Sequence, residues 1–213
     1  MLKRINWLKV LIFLACLIPL GRLIYKGIFD LLGANPIEVI THSTGDWTLR
    51  FLLITLGITP IRKLTQQRWN FIRYRRMTGL FAFFYGVLHF TTYIWLDKFF
   101  DVHEMLKDVA KRKFITVGFT AFVLMIPLAV TSTQGMIRRL GRRWGQLHRL
   151  IYISAIAGVV HYWWLVKADV RLPFIYGSVL AALLGYRVVN SLGKPRSGPA
   201  QAKTSQPAQV TAE

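Results

Sequence analysis

Two histidines lie inside apolar stretches that are long enough to cross a membrane: His89 within Thr78–Leu96 and His161 within Leu150–Val166. An ionisable side chain at membrane depth is costly, and by default it marks a functional site. Each histidine lies about twelve residues in from the same side, so two imidazoles on two helices could ligate one flat iron macrocycle. The alternative for either histidine is a hydrogen bond to the backbone of a neighbouring helix. The pattern makes the chain a candidate transmembrane electron carrier.

A third histidine, His148, lies at the inner mouth of the fifth apolar stretch. It precedes His161 by thirteen residues, which is about 20 Å along a helix axis and suits a second macrocycle below the first. However, thirteen residues are not a whole number of helical turns, and the matching inner position near Tyr74–Arg76 has no histidine. His148 is therefore either a metal ligand or an interfacial docking residue.

Other residues near these histidines are weaker candidates for a functional site. Gly86 and Gly158 each lie three residues before a histidine, and we expect them to let a large planar group approach the helix backbone. His42 precedes the second apolar stretch at the outer face. It is either a helix-start or loop residue, or part of an outer-face site near an electron exit or a quinone.

Six apolar runs must position these side chains in a chain of 213 residues, 54% of them hydrophobic. A helix that spans about 30 Å of hydrocarbon needs roughly 17–25 residues. The sequence predicts an all-α integral membrane protein with a six-transmembrane-helix bundle over residues 1–190 and a disordered cytoplasmic tail over 191–213. The runs are Val10–Tyr25, Trp47–Ile61, Thr78–Leu96, Phe114–Ser132, Leu150–Val166 and Pro173–Val189.

The charges indicate how the bundle is oriented. The chain carries 28 Lys and Arg against 9 Asp and Glu. Basic residues concentrate in alternate loops and at both ends, whereas the acids, except Glu213, lie in or beside the other loops. This positive-inside pattern predicts cytoplasmic termini, and it argues against nucleic-acid binding as the reason for the basic balance. A single cysteine, Cys16, cannot form a disulfide or a thiolate metal site within one chain.

Arginines cluster on the side that this pattern makes cytoplasmic. Such charge usually marks topology and contacts lipid headgroups. Because arginine presents a planar fork of donors, these residues could instead hold haem propionates, a flavin phosphate or an acidic redox partner. The candidates are Arg75, Arg76, Arg138, Arg139, Arg142 and Arg143. No Gly-rich nucleotide fingerprint follows a strand pattern, so we do not expect the chain to take electrons from a nicotinamide cofactor by itself.

Several short motifs lie along the chain in a fixed order and spacing. They are Gly33–Pro36 with His42 and Gly45, Ile58–Pro60, Arg75–Leu80, Leu88–Tyr93, Thr131–Met136, Leu140–Trp144, Leu147–Tyr152 and His161–Trp163. In this order and spacing they resemble the MsrQ (YedZ) family, and the resemblance covers nearly all of the chain up to about Asn190. The family is the haem-binding membrane subunit of the bacterial MsrPQ system, and it belongs to the ferric reductase-like transmembrane group.

The resemblance implies a concrete function. It implies one or two haem b groups with His89, His148 and His161 as iron ligands, and an association with FMN. It also implies a multi-pass protein of the bacterial inner membrane that takes electrons from the quinone pool or a cytosolic flavin reductase. The electrons would pass to MsrP, a periplasmic molybdopterin enzyme in a heterodimer with this subunit. Reduction of methionine sulfoxide in oxidised periplasmic proteins would then belong to MsrP.

Two other functions stay open on the sequence alone. The nearer one is a b-type transmembrane ferric or quinone reductase that works without a dedicated partner. The other is a haem-free transporter or assembly factor that uses histidines as polar contacts or a proton path. Transporters of that kind place paired carboxylates inside their membrane spans. The six apolar runs contain no Asp or Glu, which counts against the transporter.

Overall fold

A computed structural model of the chain describes residues 7–66, 71–166 and 169–192, and these residues contain helices and no strand. A 3-10 turn, Phe71–Tyr74, leads into α3, and a π-helical turn, Tyr93–Asp97, extends it. The α-helices are α1 Trp7–Ile28, α2 Pro36–Leu64, α3 Arg75–Thr92, α4 Val102–Lys111, α5 Lys113–Val130, α6 Gln134–Leu140, α7 Arg142–Leu147, α8 Leu150–Leu165 and α9 Arg171–Leu192.

Each of the six predicted apolar runs falls on a helix, which confirms the all-α class. Four helical segments of the described chain are long and apolar enough to cross a membrane: α1, Ile72–Asp97, α5 and α9. α8 has only 16 residues, and the 29-residue α2 carries charged side chains along its length. The count of six membrane crossings and the side of each terminus therefore stay predictions. Of the predicted tail, Ser191 and Leu192 belong to α9, and the rest lies outside the described residues.

Helix α2 begins earlier than the apolar pattern alone predicts. The side chain of Asn35 accepts a hydrogen bond from the backbone N–H of Glu38, and Pro36 occupies the first helical turn. An Asn N-cap followed by proline is a strong start signal, because the cap satisfies a free N–H and proline needs none. His42 and Asp46 therefore lie inside α2 and not in a loop before it.

The core lies where α2 packs along α3 and where α5 packs along α8. Leu56, Ala82 and Ala155 are fully buried at these contacts. Large apolar side chains are exposed over much of the remaining surface, as expected of helices that face lipid. The two packed helix pairs bring α3 and α8, which carry the two membrane-depth histidines, into the same bundle.

Helix α1 is attached to this core by an inserted hydroxyl group. The Tyr85 side chain accepts a hydrogen bond from Leu20 N (3.1 Å) and donates one to Cys16 O (2.9 Å). These two backbone groups would bond to each other in an uninterrupted helix. Pro19 lies between them, so the Tyr85 hydroxyl satisfies both groups at the proline.

Candidate metal centre

The structure brings the two membrane-depth histidines together. The imidazole rings of His89 on α3 and His161 on α8 have centroids 6.2 Å apart and planes inclined by 73°. A metal held between two imidazoles is bonded to each nitrogen at about 2 Å, which places the two ring centroids roughly 6 Å apart. The spacing of these two rings therefore suits one shared metal ion.

Hydrogen bonds orient both imidazoles for ligation. Nδ1 of His89 donates to the carbonyl of Thr41 at 3.0 Å, and Nδ1 of His161 donates to the carbonyl of Phe114 at 2.7 Å. A carbonyl oxygen only accepts, so each Nδ1 carries the proton and each Nε2 keeps a free lone pair. Metal-ligating histidines in proteins are commonly held in this way by a second group.

Glycines on two other helices make room for the rings. A Cβ atom on Gly118 of α5 would lie 2.6 Å from Nδ1 of His161, and one on Gly45 of α2 would lie 3.1 Å from the ring of His89. Real Cβ atoms do not approach a ring as closely as the first of these distances, so position 118 requires glycine. The backbones of α2 and α5 therefore form the outer walls of the histidine pair.

The glycines expected to face a planar group do something else. A Cβ atom on Gly86 would meet the Met125 side chain at 3.1 Å, and one on Gly158 would meet the Leu49 side chain at 3.3 Å. Both positions serve close packing between helices. The glycines that contact the histidines, Gly45 and Gly118, come from α2 and α5, far away in sequence.

The donor set restricts the kind of metal group. Within the described residues, no cluster of three or more His, Cys, Asp or Glu side chains could hold a metal ion. A metal between His89 and His161 would have only these two protein ligands. Protein-only metal sites usually need three or four ligands, whereas a macrocycle supplies the remaining four ligands of a haem iron. The site fits a haem better than a bare ion.

A carboxylate lies closer to this centre than the sequence indicates. Asp46 belongs to α2, and its Oδ2 is 3.2 Å from Nη2 of Arg50. Arg50 also donates through Nε to the Tyr176 hydroxyl at 2.8 Å. The early start of α2 thus places one acidic side chain inside the helix, one residue before the predicted apolar run Trp47–Ile61. Asp46 is paired with an arginine one turn away and not with a second carboxylate. The arrangement therefore differs from the paired carboxylates expected of a transporter.

His148 is held at the other end of the bundle, just before α8. Its ring stacks on Trp144 with centroids 3.9 Å apart, and its Nδ1 donates to the Trp144 carbonyl at 3.1 Å. Its Nε2 is buried and has no hydrogen-bond partner. Burial lowers the pKa of His148, which favours a neutral imidazole with a free lone pair. These features suit a metal ligand, although within the described residues the ring stacks on Trp144 and not on a second histidine.

Known proteins resemble this chain over most of its length. Residues 44–159 match the family described as ferric reductase like transmembrane component. Three relatives bear the name protein-methionine-sulfoxide reductase heme-binding subunit MsrQ. The one from Herminiimonas arsenicoxydans is 57% identical over 95% of this chain and 94% of its own length. The one from Ralstonia nicotianae is 52% identical over 87% of each chain. The one from Xanthomonas campestris pv. campestris (strain 8004) is 54% identical over 79% of this chain and 77% of its own.

The chain belongs to the MsrQ family. The family match at residues 44–159 includes His89 and His148 and ends just before His161. No solved structure matches the chain.

The six arginines predicted as anion or partner contacts divide into two groups. Arg75 is half-buried and close enough to His148 to interact with it electrostatically. The other five side chains are exposed: Arg76, Arg138, Arg139, Arg142 and Arg143. Of the six, only Arg75 is therefore placed toward the interior, and the other five are exposed on the surface.

Arg187 on α9 was not among the predicted site residues. It donates to the Tyr152 hydroxyl at 2.9 Å and to the Leu56 carbonyl at 2.8 Å, and it interacts electrostatically with Arg75. The available signal was a basic residue inside an apolar run, which is a functional indicator. His42 follows Thr41, whose carbonyl binds His89, but its own side chain is partly exposed and lies 3.8 Å from Glu38.

Proposed function

We propose that this chain is a haem-binding electron-transfer subunit that carries electrons across the bacterial inner membrane to a methionine sulfoxide reductase. The observation that carries the proposal is the facing pair of imidazoles, 6.2 Å apart, each with Nδ1 bonded to a carbonyl. The names of its relatives support it, because they are heme-binding subunits of a protein-methionine-sulfoxide reductase.

His89 and His161 would hold the outer haem b through their imidazole Nε2 atoms. Haem b, when bound, supplies reversible one-electron chemistry. The chain contributes the fixed orientation of both imidazoles through the carbonyls of Thr41 and Phe114. With both imidazoles as its ligands, the group would favour electron transfer over oxygen binding. The surrounding helices supply a low dielectric, which helps to set the reduction potential.

We infer the path of the electrons from where the histidines lie in the bundle. An inner donor, either the quinone pool or a cytosolic flavin reductase, would deliver electrons near His148 and Arg75. The electrons would then pass outward to the centre between His89 and His161 and leave at the outer loops to MsrP. FMN, if bound, would lie at the inner arginines. Sulfoxide chemistry itself would belong to the molybdopterin partner.

A partner-independent ferric or quinone reductase is the second candidate function. It is favoured by the match of residues 44–159 to the ferric reductase like transmembrane component. The two functions differ in what purified protein does alone. A self-contained reductase turns over ferric or quinone substrate without MsrP, whereas an electron-transfer subunit sustains turnover only when MsrP and methionine sulfoxide are added.

The ligation is tested by a reduced-minus-oxidised absorption spectrum of detergent-purified protein, with haem quantified per chain. We expect a low-spin b-type spectrum that H89A and H161A lose at the outer site. His103→Ala is the matched control, because His103 is exposed on α4 and its loss should leave haem content unchanged. Full haem content in both H89A and H161A would refute the ligation, and a protein that stays colourless after haem supplementation would refute the function.

A further inference from the structure

Four buried polar atoms in the described part of the chain have no hydrogen-bond partner: Thr59 Oγ1, Tyr74 OH, His148 Nε2 and Arg187 Nε. More than nine in ten buried polar groups in proteins are paired, so a set of orphans needs an explanation. The Tyr74 side chain is the most enclosed of them, because the residue is only 4% exposed. All four come from different elements, α2, the 3-10 turn before α3, the α7–α8 junction and α9.

These orphans lie around the same inner end of the bundle. Thr59 is near the last turn of α2, whereas Tyr74 and His148 directly precede α3 and α8. Arg187 connects α9 to α8 and α2, because it donates hydrogen bonds to the Tyr152 hydroxyl on α8 and to the Leu56 carbonyl on α2. α2, α9 and the segments that precede α3 and α8 thus each contribute one unpaired atom at this end of the bundle, which points to a ligand.

The charge at this place is positive, and no carboxylate among the described residues forms an ion pair with it. Arg75 interacts electrostatically with Arg187, with Tyr152 and with His148. None of the ion pairs within the described residues includes Arg75 or Arg187. Two like charges held together away from water are unfavourable unless an anion joins them. The occupant must therefore bring negative charge.

The unpaired atoms define the occupant further. Arg187 Nε carries a proton, and the Tyr74 hydroxyl can donate one, so both suit an acceptor oxygen. Nε2 of His148 instead offers a lone pair, because its Nδ1 proton is bonded to the Trp144 carbonyl. That lone pair needs a metal or a hydrogen-bond donor. A phosphate alone would satisfy the arginines and leave the imidazole unpaired.

A haem satisfies both requirements in one molecule, since it combines an iron with two carboxylates. We propose that Arg187, together with Arg75 and Tyr74, binds the propionate carboxylates of an inner haem whose iron is ligated by His148. This inference rests on the proposed haem-binding function and deepens it, because it adds a carboxylate subsite that the arginine cluster of α6 and α7 does not form. Tyr152 acts as a positioning residue that holds the Arg187 guanidinium at 2.9 Å.

The experiment compares haem b with its dimethyl ester, which keeps the iron and lacks the negative carboxylates. Full-length protein produced under haem-poor conditions is titrated in detergent with each compound, in the wild type, R187Q and the control R149Q. Arg149 is exposed at the same end of the bundle. We expect the wild-type inner site to prefer haem b by about tenfold or more, as charge-assisted hydrogen bonds allow. R187Q should lose most of this preference, and R149Q should keep it.

A second comparison tests the link to His148. H148A should lose the inner haem, and R187Q added to H148A should cause no further loss, because both residues serve one ligand. If R187Q does not remain monodisperse, Y74F replaces it, since that change removes only a hydroxyl group. An unchanged preference for haem b in folded R187Q or Y74F overturns the inference, as does FMN released from the inner site in place of haem.

The outcomes also separate this inference from the proposed function. If the haem content of the chain depends only on His89 and His161, the inner site is contradicted and the electron-transfer function is unaffected. A wild-type chain that binds no haem contradicts the function itself. Two haems per chain would support both the inference and the function, provided that one of them is lost in H148A and is bound more weakly in R187Q.

Discussion

The outer and inner histidines of this bundle are positioned by different means. His89 and His161 are held by carbonyls 48 and 47 residues away in sequence, Thr41 and Phe114, so their orientation depends on helix packing. His148 is held by its own preceding turn, because its Nδ1 bonds the Trp144 carbonyl and its ring stacks on the same residue. The outer site is a product of tertiary structure, and the inner one is a local motif with charges added from distant helices.

Because the two sites are positioned differently, we expect them to respond differently to mutations that move a helix. A displacement of α2 or α5 moves the partners of the outer rings, whereas the inner imidazole keeps its orientation if the α7–α8 junction is intact. Arg75 and Arg187 interact electrostatically at the inner end, whereas the groups that hold the outer rings are the neutral carbonyls of Thr41 and Phe114. Two haems in such environments should have different reduction potentials, because nearby positive charge favours the reduced state.

The largest effect is expected from Gly118→Ala, which alters the outer site alone. The added Cβ would lie 2.6 Å from Nδ1 of His161, so the ring must move or α5 must shift. We expect loss of the outer haem signal and destabilisation of about 1–3 kcal/mol, as for overpacked cores. Haem per chain and the thermal midpoint measure the two effects.

Gly158→Ala is the matched control for that change. Its Cβ would meet only the end of the Leu49 side chain at 3.3 Å, which can yield by a small rotation. We expect haem content close to that of the wild type. Equal haem loss in G118A and G158A would contradict the assignment of Gly118 as the wall of the histidine pair.

The helical segments were predictable because their signals are local. Apolar runs identify the helices, and a histidine inside such a run stands out against its neighbours. The early start of α2 was also available in the Asn35–Pro36 pair, a cap followed by a first-turn proline. The apolar pattern concealed it, because Glu38 and Asp46 break the run before Trp47.

The contacts around the site were not predictable in the same way. Gly45 and Gly118 meet the histidine rings only because α2 and α5 present particular faces, and rotation of a lipid-facing helix leaves little trace in a single sequence. Arg187 was visible as a basic residue, but its bonds to Tyr152 and Leu56 depend on how α9 packs. The two candidate ligand histidines were therefore visible in the local pattern, whereas the residues that contact their rings depend on tertiary packing.

A smaller effect is expected from Trp144→Phe, which changes the inner site alone. Phenylalanine keeps a ring to stack on His148 but removes the indole N–H that donates to the Thr131 carbonyl at 2.9 Å. We expect a stability loss of about 1 kcal/mol and a change in the potential of the inner haem only. Potentiometric titration of the spectrum measures it. Trp163→Phe, at an exposed outer position, is the control and should shift neither potential.

The smallest effect on haem is expected from Asp108→Asn, a change in the segment that joins α3 to α5. Nζ of Lys98 lies 2.6 Å from Oδ2 of Asp108, and Arg112 at the start of α5 lies 3.2 Å from Oδ1 of the same carboxylate. The hydrogen bond from Lys98 holds the pKa of Asp108 below its usual value of 3.8. α5 also carries the Phe114 carbonyl that bonds His161, so this carboxylate steadies the outer site indirectly.

The sign of the pH dependence follows from that lowered pKa. Asp108 contributes stability that is fully present above pH 3.8, the usual carboxyl value, and is lost as the pH falls through the lower pKa of the folded state. D108N should therefore lower the thermal midpoint at neutral pH, and its deficit relative to the wild type should shrink as the pH falls below that value. Glu104→Gln, at a carboxylate 48% exposed, should cause a smaller deficit. A deficit for D108N that stays constant down to pH 3 would show that packing, and not the charge of Asp108, joins this loop to the outer site.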